Sequence, residues 1–463
     1  VMEEIGELAA ALRAGRITAE ALVERSLGRI ARLDGALNSF VALDEAGARA
    51  AARDSDRRLA AGAPRSPLEG IPLSVKDNLH AAGLPSSWGS RAFAGFRPEG
   101  DELPVARLRA AGAVILGKTN VPELTLEGYT RNDLFGTTRN PWNPDLTPGG
   151  SSGGAAAGVA AGLVPAALGT DGGGSIRRPA CHTGLVGWKP SIGHLPRLDG
   201  FPAPLADFET VGTLTRSVGD AILLDAAMAG PDPRDRRSLL AAAPQPAGER
   251  LRIAYIPRFG TAPVDPVVAA AVEGFALALE RDGHAVREQA VFFDLDDAAR
   301  IWHVVSRAGV AWLMDRPGSR LPEEAGAAVQ AMAADGRALA AADYCDALER
   351  TARLRRRCAE LFATSDLVLT PTAAALPWPA ETPYPREIAG RPAGPRDHAV
   401  FTGWVNIAGV PAVSLPVGLS ATGLPIGAQL AAGFAADAWL LEFAREAERM
   451  RPAPPLPTVQ AVS

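Results

Sequence analysis

Gly149-Gly150-Ser151-Ser152-Gly153-Gly154 and Gly172-Gly173-Gly174-Ser175-Ile176-Arg177 are the two stretches whose reading decides the fold. Ser151 and Ser175 stand 24 residues apart, and the small residues Ala155 to Gly162 run between them. A short apolar run of this kind predicts a buried helix with a serine island at each end. Serines on glycine turns sit close to backbone N–H groups, and clustered N–H donors are what a reaction developing negative charge on oxygen requires.

Outward from the islands, the first question is what takes a proton from a serine, since an unassisted hydroxyl is a poor nucleophile. The chain has six histidines, and neither island matches the Gly-x-Ser-x-Gly elbow. His182, seven residues after Ser175, reads as a structural residue. The stronger candidate base is Lys76, in Gly70-Ile71-Pro72-Leu73-Ser74-Val75-Lys76-Asp77-Asn78. Ile71, Leu73 and Val75 alternate with Pro72 and Ser74, which predicts a short strand with Lys76 at its end.

Gly-Ile-Pro-x-x-x-Lys-Asp-Asn, Pro-Gly-Gly-Ser-Ser-Gly-Gly and Gly-Gly-Ser-Ile-Arg occur in this order, and together they resemble the amidase signature family of serine hydrolases. The likeness extends through Gly117-Lys118-Thr119-Asn120-Val121-Pro122-Glu123, Phe135 to Trp142, Gly187-Trp188-Lys189-Pro190, Gly409 to Pro416 and Gly423 to Gly427. It covers the chain from about Glu20 to the 440s. The resemblance implies an α/β fold, a mixed sheet of about eleven strands sandwiched between helices. It implies one domain over 1–463, with an N-terminal helical layer at 1–66 and a catalytic core at 67–230. Variable substrate-side helices and loops would follow at 231–400, and strands and a helix returning to the core at 401–450.

By the same resemblance, Ser175 is the nucleophile, Ser151 bridges and follows a cis peptide bond, and Lys76 is the ultimate base. A free lysine, with a pKa of about 10.4, is neutral less than about 0.1% of the time at pH 7. The role therefore requires burial, which favours the neutral amine. The N–H groups of Gly172, Gly173, Gly174 and Ser175 are expected to form the oxyanion hole, three glycines letting the chain curl so that donors converge. Asp171 and Arg177 are expected to pair and brace the loop. Arg178 reads as a surface or packing residue in preference to one facing a substrate carboxylate. Thr125, within Leu124 to Tyr129, matches the segment that lines the scissile group in relatives. Phe93, Trp142, Trp188 and Trp404 are candidate pocket walls, though each reads more readily as a core residue.

The rest of the chain bounds the partners. Net charge is −5 with 21% charged and 47% hydrophobic residues, which fits a soluble protein with a large core and argues against a nucleic-acid surface. Cys181, Cys345 and Cys358 lack Cys-x-x-Cys spacing, so neither a disulfide framework nor a zinc site is expected, consistent with a reducing cytoplasm. No apolar run approaches a membrane span, and no secretory pattern opens the chain. No metal and no cofactor are expected. Residues 3–62 read as helices, 253–256 as a strand, 266–281 as an amphipathic helix, 295–362 as a helical region and 367–369 as a strand. Gly230 to Gly248 reads as a surface connection, and the proline-dense 371–395 as a functional rim or lid. Gly112 to Thr119 matches Walker A spacing, but its middle residues read as a strand and Asn120-Val121-Pro122 follows instead of a helix start. Nucleotide binding is therefore not expected.

The expected activity is hydrolysis of a small-molecule carboxylic amide, an aryl or alkyl amide or anilide, with carbamate (urethane) and ester cleavage reachable by the same tetrahedral chemistry. The partner is the small substrate alone, with no nucleic acid and no membrane, in a monomer or homodimer. The alternative is the catalytic subunit of glutamine-dependent tRNA amidotransferase, which shares these motifs. Such subunits usually carry a Met-Asp-Glu-Phe run after Gly-Lys-Thr-Asn, where this chain has Val121-Pro122-Glu123-Leu124.

Overall fold

The alternation around Lys76 becomes a strand with no solvent face: all five residues of Pro72–Lys76 are buried. A strand covered on both sides needs apolar residues in either direction, which explains why Leu73, Val75 and Ser74 are all excluded from water. In the computed structural model, which describes residues 4–241, 243, 250–451, 454–455, 457 and 459, this strand is near one end of an eleven-stranded sheet.

In chain order the sheet strands are β1 (Phe40–Leu43), β2 (Pro72–Lys76), β3 (Val114–Thr119), β4 (Ala166–Asp171), β5 (Val186–Lys189) and β6 (Thr210–Thr215). They continue as β7 (Arg252–Tyr255), β8 (Ala285–Glu288), β9 (Leu367–Pro371), β10 (Ala412–Leu419) and β11 (Pro425–Ala432). Their spatial order is β1-β3-β2-β4-β6-β5-β10-β11-β9-β7-β8. β2 runs parallel to both β3 and β4, with Lys76 opposite Thr119 and Leu73 opposite Ala166. The centre, from β4 through β6, β5, β10 and β11 to β9, is antiparallel. The sheet is therefore mixed.

The predicted buried helix is Gly153–Ala160, and all eight of its residues are buried. Its glycines permit close approach: a Cβ on Gly154 would lie 2.4 Å from the Asn120 backbone nitrogen. The N-terminal segment departs from the all-helical expectation. Helices Ile5–Arg13, Ala19–Leu37 and Glu45–Ala60 form, but Phe40–Leu43 is a strand paired with β3. Asn38 turns left-handed at φ 53°, and the Asp34 carboxylate accepts the N–H groups of Ser39 and Phe40, so the helix stops and the apolar run extends.

Residues 295–362 are helical, divided into Leu295–Met314, Leu321–Glu324, Ala327–Arg337 and Ala341–Thr364. The first and last of these pack with Phe401, Trp404 and Val405 over one end of the sheet, whereas Leu321, Val329 and Ala333 of the middle two pack with Trp88 and Leu124. The Walker-like stretch is strand β3 followed by the short turn Glu123–Thr125, with no helix start. Part of the Gly230 to Gly248 stretch lies outside the described residues. Among the described residues, no helix is long and apolar enough to cross a membrane.

Candidate active site

The parallel strands β2 and β4 end side by side, and this brings Lys76 to Thr170. The Lys76 Nζ lies 2.8 Å from Ser151 Oγ, 2.9 Å from Thr170 Oγ1 and 3.1 Å from the Thr170 carbonyl oxygen. Thr170 Oγ1 also accepts from Asn78 Nδ2 at 3.0 Å. All three neighbours are oxygens to which Nζ can donate; when neutral, the amine keeps two N–H groups for Thr170 and turns its lone pair to the Ser151 hydroxyl. No carboxylate lies within ion-pair distance of Nζ among the described residues. Burial accordingly holds Lys76 down at about 7, with Glu209 and Asp171 only partly opposing the shift.

Beyond Thr170 the chain turns through Asp171 and the three glycines into Ser175 and the helix Arg177–Thr183. Asp171 organises this turn. Its carboxylate accepts the N–H groups of Gly174 (2.7 Å), Ile176 (3.1 Å) and Arg177 (3.3 Å). It also receives Arg177 Nε at 3.0 Å and Nη2 at 2.8 Å, a fork with both side chains fully buried. Burial alone pushes the Asp171 carboxyl up, but Arg177 and its other donors outweigh that and hold it well below the usual carboxylate range. Asn406, Gln429 and the Thr402 carbonyl take the remaining Arg177 donors.

The Gly150–Ser151 peptide bond is cis. The two serine islands are held together through their backbones, the Ser152 N–H donating to the Ser175 carbonyl at 3.1 Å. Exposure falls along the set, from 7% at Ser175 through 1% at Ser151 to 0% at Lys76. Ser175 is therefore the least enclosed of the three. Ser175 Oγ makes no hydrogen bond among the described residues.

Ser175 opens into a cavity of about 660 Å³. Thr125, Gly172 and Gly173 line it with Ser175, and Phe259, Phe293, Trp302 and Trp404 give it apolar walls. Of the four aromatics that the sequence offers as pocket walls, Trp404 alone lines this cavity. Trp188 is fully buried with Nε1 on Asp225, Trp142 Nε1 donates to the Thr183 carbonyl, and Phe93 joins a separate cluster with Trp88 and Phe201.

Three further expectations change. Gly174 does not offer a free donor, because its N–H is taken by Asp171. The N–H groups of Gly172, Gly173 and Ser175 are without partners among the described residues. Arg178 is not on the surface: it is 4% exposed and lines the cavity. Of the 371–395 stretch only Pro395 reaches the cavity; Arg396 to Val400, immediately after it, contribute more. His182 is buried against Trp378 with Nε2 towards the Ala375 carbonyl, and burial pushes it down to about 4. Thr170 is a site residue that the sequence reading misses. A threonine next to the aspartate of an otherwise apolar strand was the available signal. Among the described residues no cluster of three His, Cys, Asp or Glu side chains is placed to hold a metal ion.

A family model described as Amidase matches residues 21–441. A glutamyl-tRNA(Gln) amidotransferase subunit from a Synechococcus strain is 36% identical over 469 residues, covering 95% of this chain and 94% of that protein. The crystal structure of a bacterial aryl acylamidase of the amidase signature enzymes superposes with a TM-score of 0.89 at 28% identity, covering 97% of this chain and 96% of that one. The native peptide amidase from Stenotrophomonas maltophilia superposes with a TM-score of 0.81 at 28% identity, covering 98% of each chain.

Proposed function

This chain belongs to the amidase signature family, and on that premise we propose that it is a stand-alone hydrolase of small carboxylic amides working through Lys76, Ser151 and Ser175. The observations that support this reading are the 2.8 Å contact between Ser151 and a fully buried Lys76 that has no counter-ion among the described residues, and the backbone bond that ties the Ser151 island to Ser175 at the cavity. In the proposed cycle the Ser175 hydroxyl turns towards Ser151 as it attacks the substrate carbonyl. Its proton passes to Ser151, whose own proton passes to the neutral Lys76. Catalytic contacts of this kind are often open without substrate and close in its presence. The tetrahedral oxyanion is received by the free N–H groups of Gly172, Gly173 and Ser175, each such donor typically lowering the barrier by about 2.7–4 kcal/mol. Collapse expels the amine with the proton returned through the relay. Water then attacks the acyl-serine, gives its proton to the same base, and releases the acid.

The apolar walls suit aryl or alkyl amides and anilides, and the same steps cleave carbamates and esters. The proposed partner is the small substrate, with neither nucleic acid nor membrane, in a cytoplasmic monomer or homodimer. A second reading is favoured by the 36% identity to the amidotransferase chain: the catalytic subunit of a glutamine-dependent tRNA amidotransferase. The Val121-Pro122-Glu123-Leu124 segment supports the stand-alone reading. The test is to assay the purified chain alone on anilides, alkyl amides, carbamates and esters. Turnover that disappears in Ser175→Ala is expected. A chain that is inert alone but active with amidotransferase partner subunits favours the second reading.

A further inference from the structure

Arg178 takes no part in the relay, yet the surroundings are shaped around it. Its N–H donates to the Gly174 carbonyl at 2.8 Å, closing the turn that carries Ser175, and both residues line the cavity. Its Nη1 lies 2.7 Å from His398 Nε2. A guanidinium only donates, so His398 accepts through Nε2 and carries its proton on Nδ1. Two glycines border it: a Cβ at Gly128 would meet His398 Nε2 at 2.3 Å and Arg178 Nη1 at 2.8 Å, and one at Gly174 would meet Thr402 Oγ1 at 2.3 Å and Arg178 Nε at 2.8 Å.

The other edge of the guanidinium is unused. Nε is buried without a partner, and Nη2 has none among the described residues. These two N–H groups point in the same direction and form the edge that a carboxylate grips with two parallel hydrogen bonds. Two of the neighbouring acids are engaged elsewhere, Asp171 by Arg177 and Glu209 by Arg197. Glu127 lines the same cavity and acts on Arg178 and Arg396 through its charge, but among the described residues it forms no ion pair with either. Arg396 itself stacks over Trp302 at 4.8 Å and adds a second positive charge to the wall. Burial, then the repulsion of Arg396, hold Arg178 down at about 9, which is the condition of a cation lacking its counter-ion.

We propose that Arg178 binds a substrate carboxylate, so that the preferred substrates are amides whose acyl chain ends in a carboxylate a few bonds from the scissile carbonyl. The chain is short because Ser175 and Arg178 are only three residues apart, in one turn closed by the Arg178 N–H on the Gly174 carbonyl, and both line the same cavity. The inference rests on the amide-hydrolase reading above and names the acyl half of its substrate. Phe259, Phe293 and Trp404 are left to receive the amine half.

The test compares kcat/KM for the mono-p-nitroanilide of succinic acid with that for its primary-amide counterpart, which replaces only the carboxylate. The wild-type protein should prefer the acid at least tenfold. Arg178→Met should bring the ratio to within twofold, chiefly by raising KM for the acid, and Arg178→Lys should keep part of the preference. Succinate should compete with the acid substrate in the wild type. Equal turnover of the two substrates by the wild type overturns the proposal, whether or not the variants fold; so does a preference that survives in Arg178→Met. Ser175-dependent hydrolysis of a neutral p-nitroanilide with no acid preference leaves the amidase reading standing and removes this inference alone. A chain that hydrolyses no amide removes both.

Discussion

Lowering the pH from 9 to 5 should reduce kcat/KM on a neutral amide about a hundredfold, through protonation of one buried amine. The relay needs Lys76 uncharged. Burial holds its pKa at about 7, so roughly half the molecules are competent at pH 7, against less than about 0.1% for an exposed lysine. Activity is therefore level above pH 8 and falls tenfold per unit below about 6. Glu209 is the charge that most opposes the shift, so Glu209→Gln should move the inflection to lower pH. Lys189 is also held at about 7 by burial, but it bonds the Pro190 and Val410 carbonyls away from the serines. Lys189→Met should leave the inflection where it is. The assay is the initial rate at low substrate from pH 5 to 9.5, using a p-nitroanilide that does not titrate in that range. A flat profile, or a rise centred above pH 9, refutes a desolvated lysine base.

Asp171→Asn leaves the fully buried Arg177 without its counter-ion and should destabilise the protein by about 3–5 kcal/mol, read from the urea midpoint; a loss below about 1 kcal/mol contradicts the bracing role of this pair. Lys189 supplies a pH effect on stability. Its folded value of about 7 lies below the unfolded value of about 10.4, so the unfolded chain binds more protons between those limits and stability rises with pH across them. Removing the titration in Lys189→Met should flatten that rise by about 3–4 kcal/mol between pH 7 and 10, and an unchanged slope counts against it.

The elements legible in the sequence are those whose signals are local. Alternation over Ile71 to Val75 fixed a strand and its terminal lysine, and the small residues after Ser152 fixed a buried helix. The family resemblance added the sheet of about eleven strands. The cavity walls were not legible in the same way. Trp302, Arg396 and His398 reach Ser175 only when the chain folds back over more than a hundred residues. An aromatic residue also does not announce its direction: Trp188 points to Asp225 in the core while Trp404 faces the cavity. Arg177 and Arg178 show the same limit at one-residue scale. Adjacent helical positions point about 100° apart, so one arginine turns inward to Asp171 and the next turns to the cavity. The short strand β1 was hidden because Phe40–Leu43 sits between two clear helices, and only its pairing with β3 distinguishes it.

The most direct measurement of the central claim is kcat on one p-nitroanilide at pH 8 for Lys76→Ala, Ser151→Ala, Ser175→Ala and the triple variant, each confirmed folded. Groups that act as one unit are lost together, so each single change should cost at least about a thousandfold and the triple should be no slower than Ser175→Ala. Turnover within tenfold of wild type in Lys76→Ala, or losses that multiply in the triple variant, would contradict the relay.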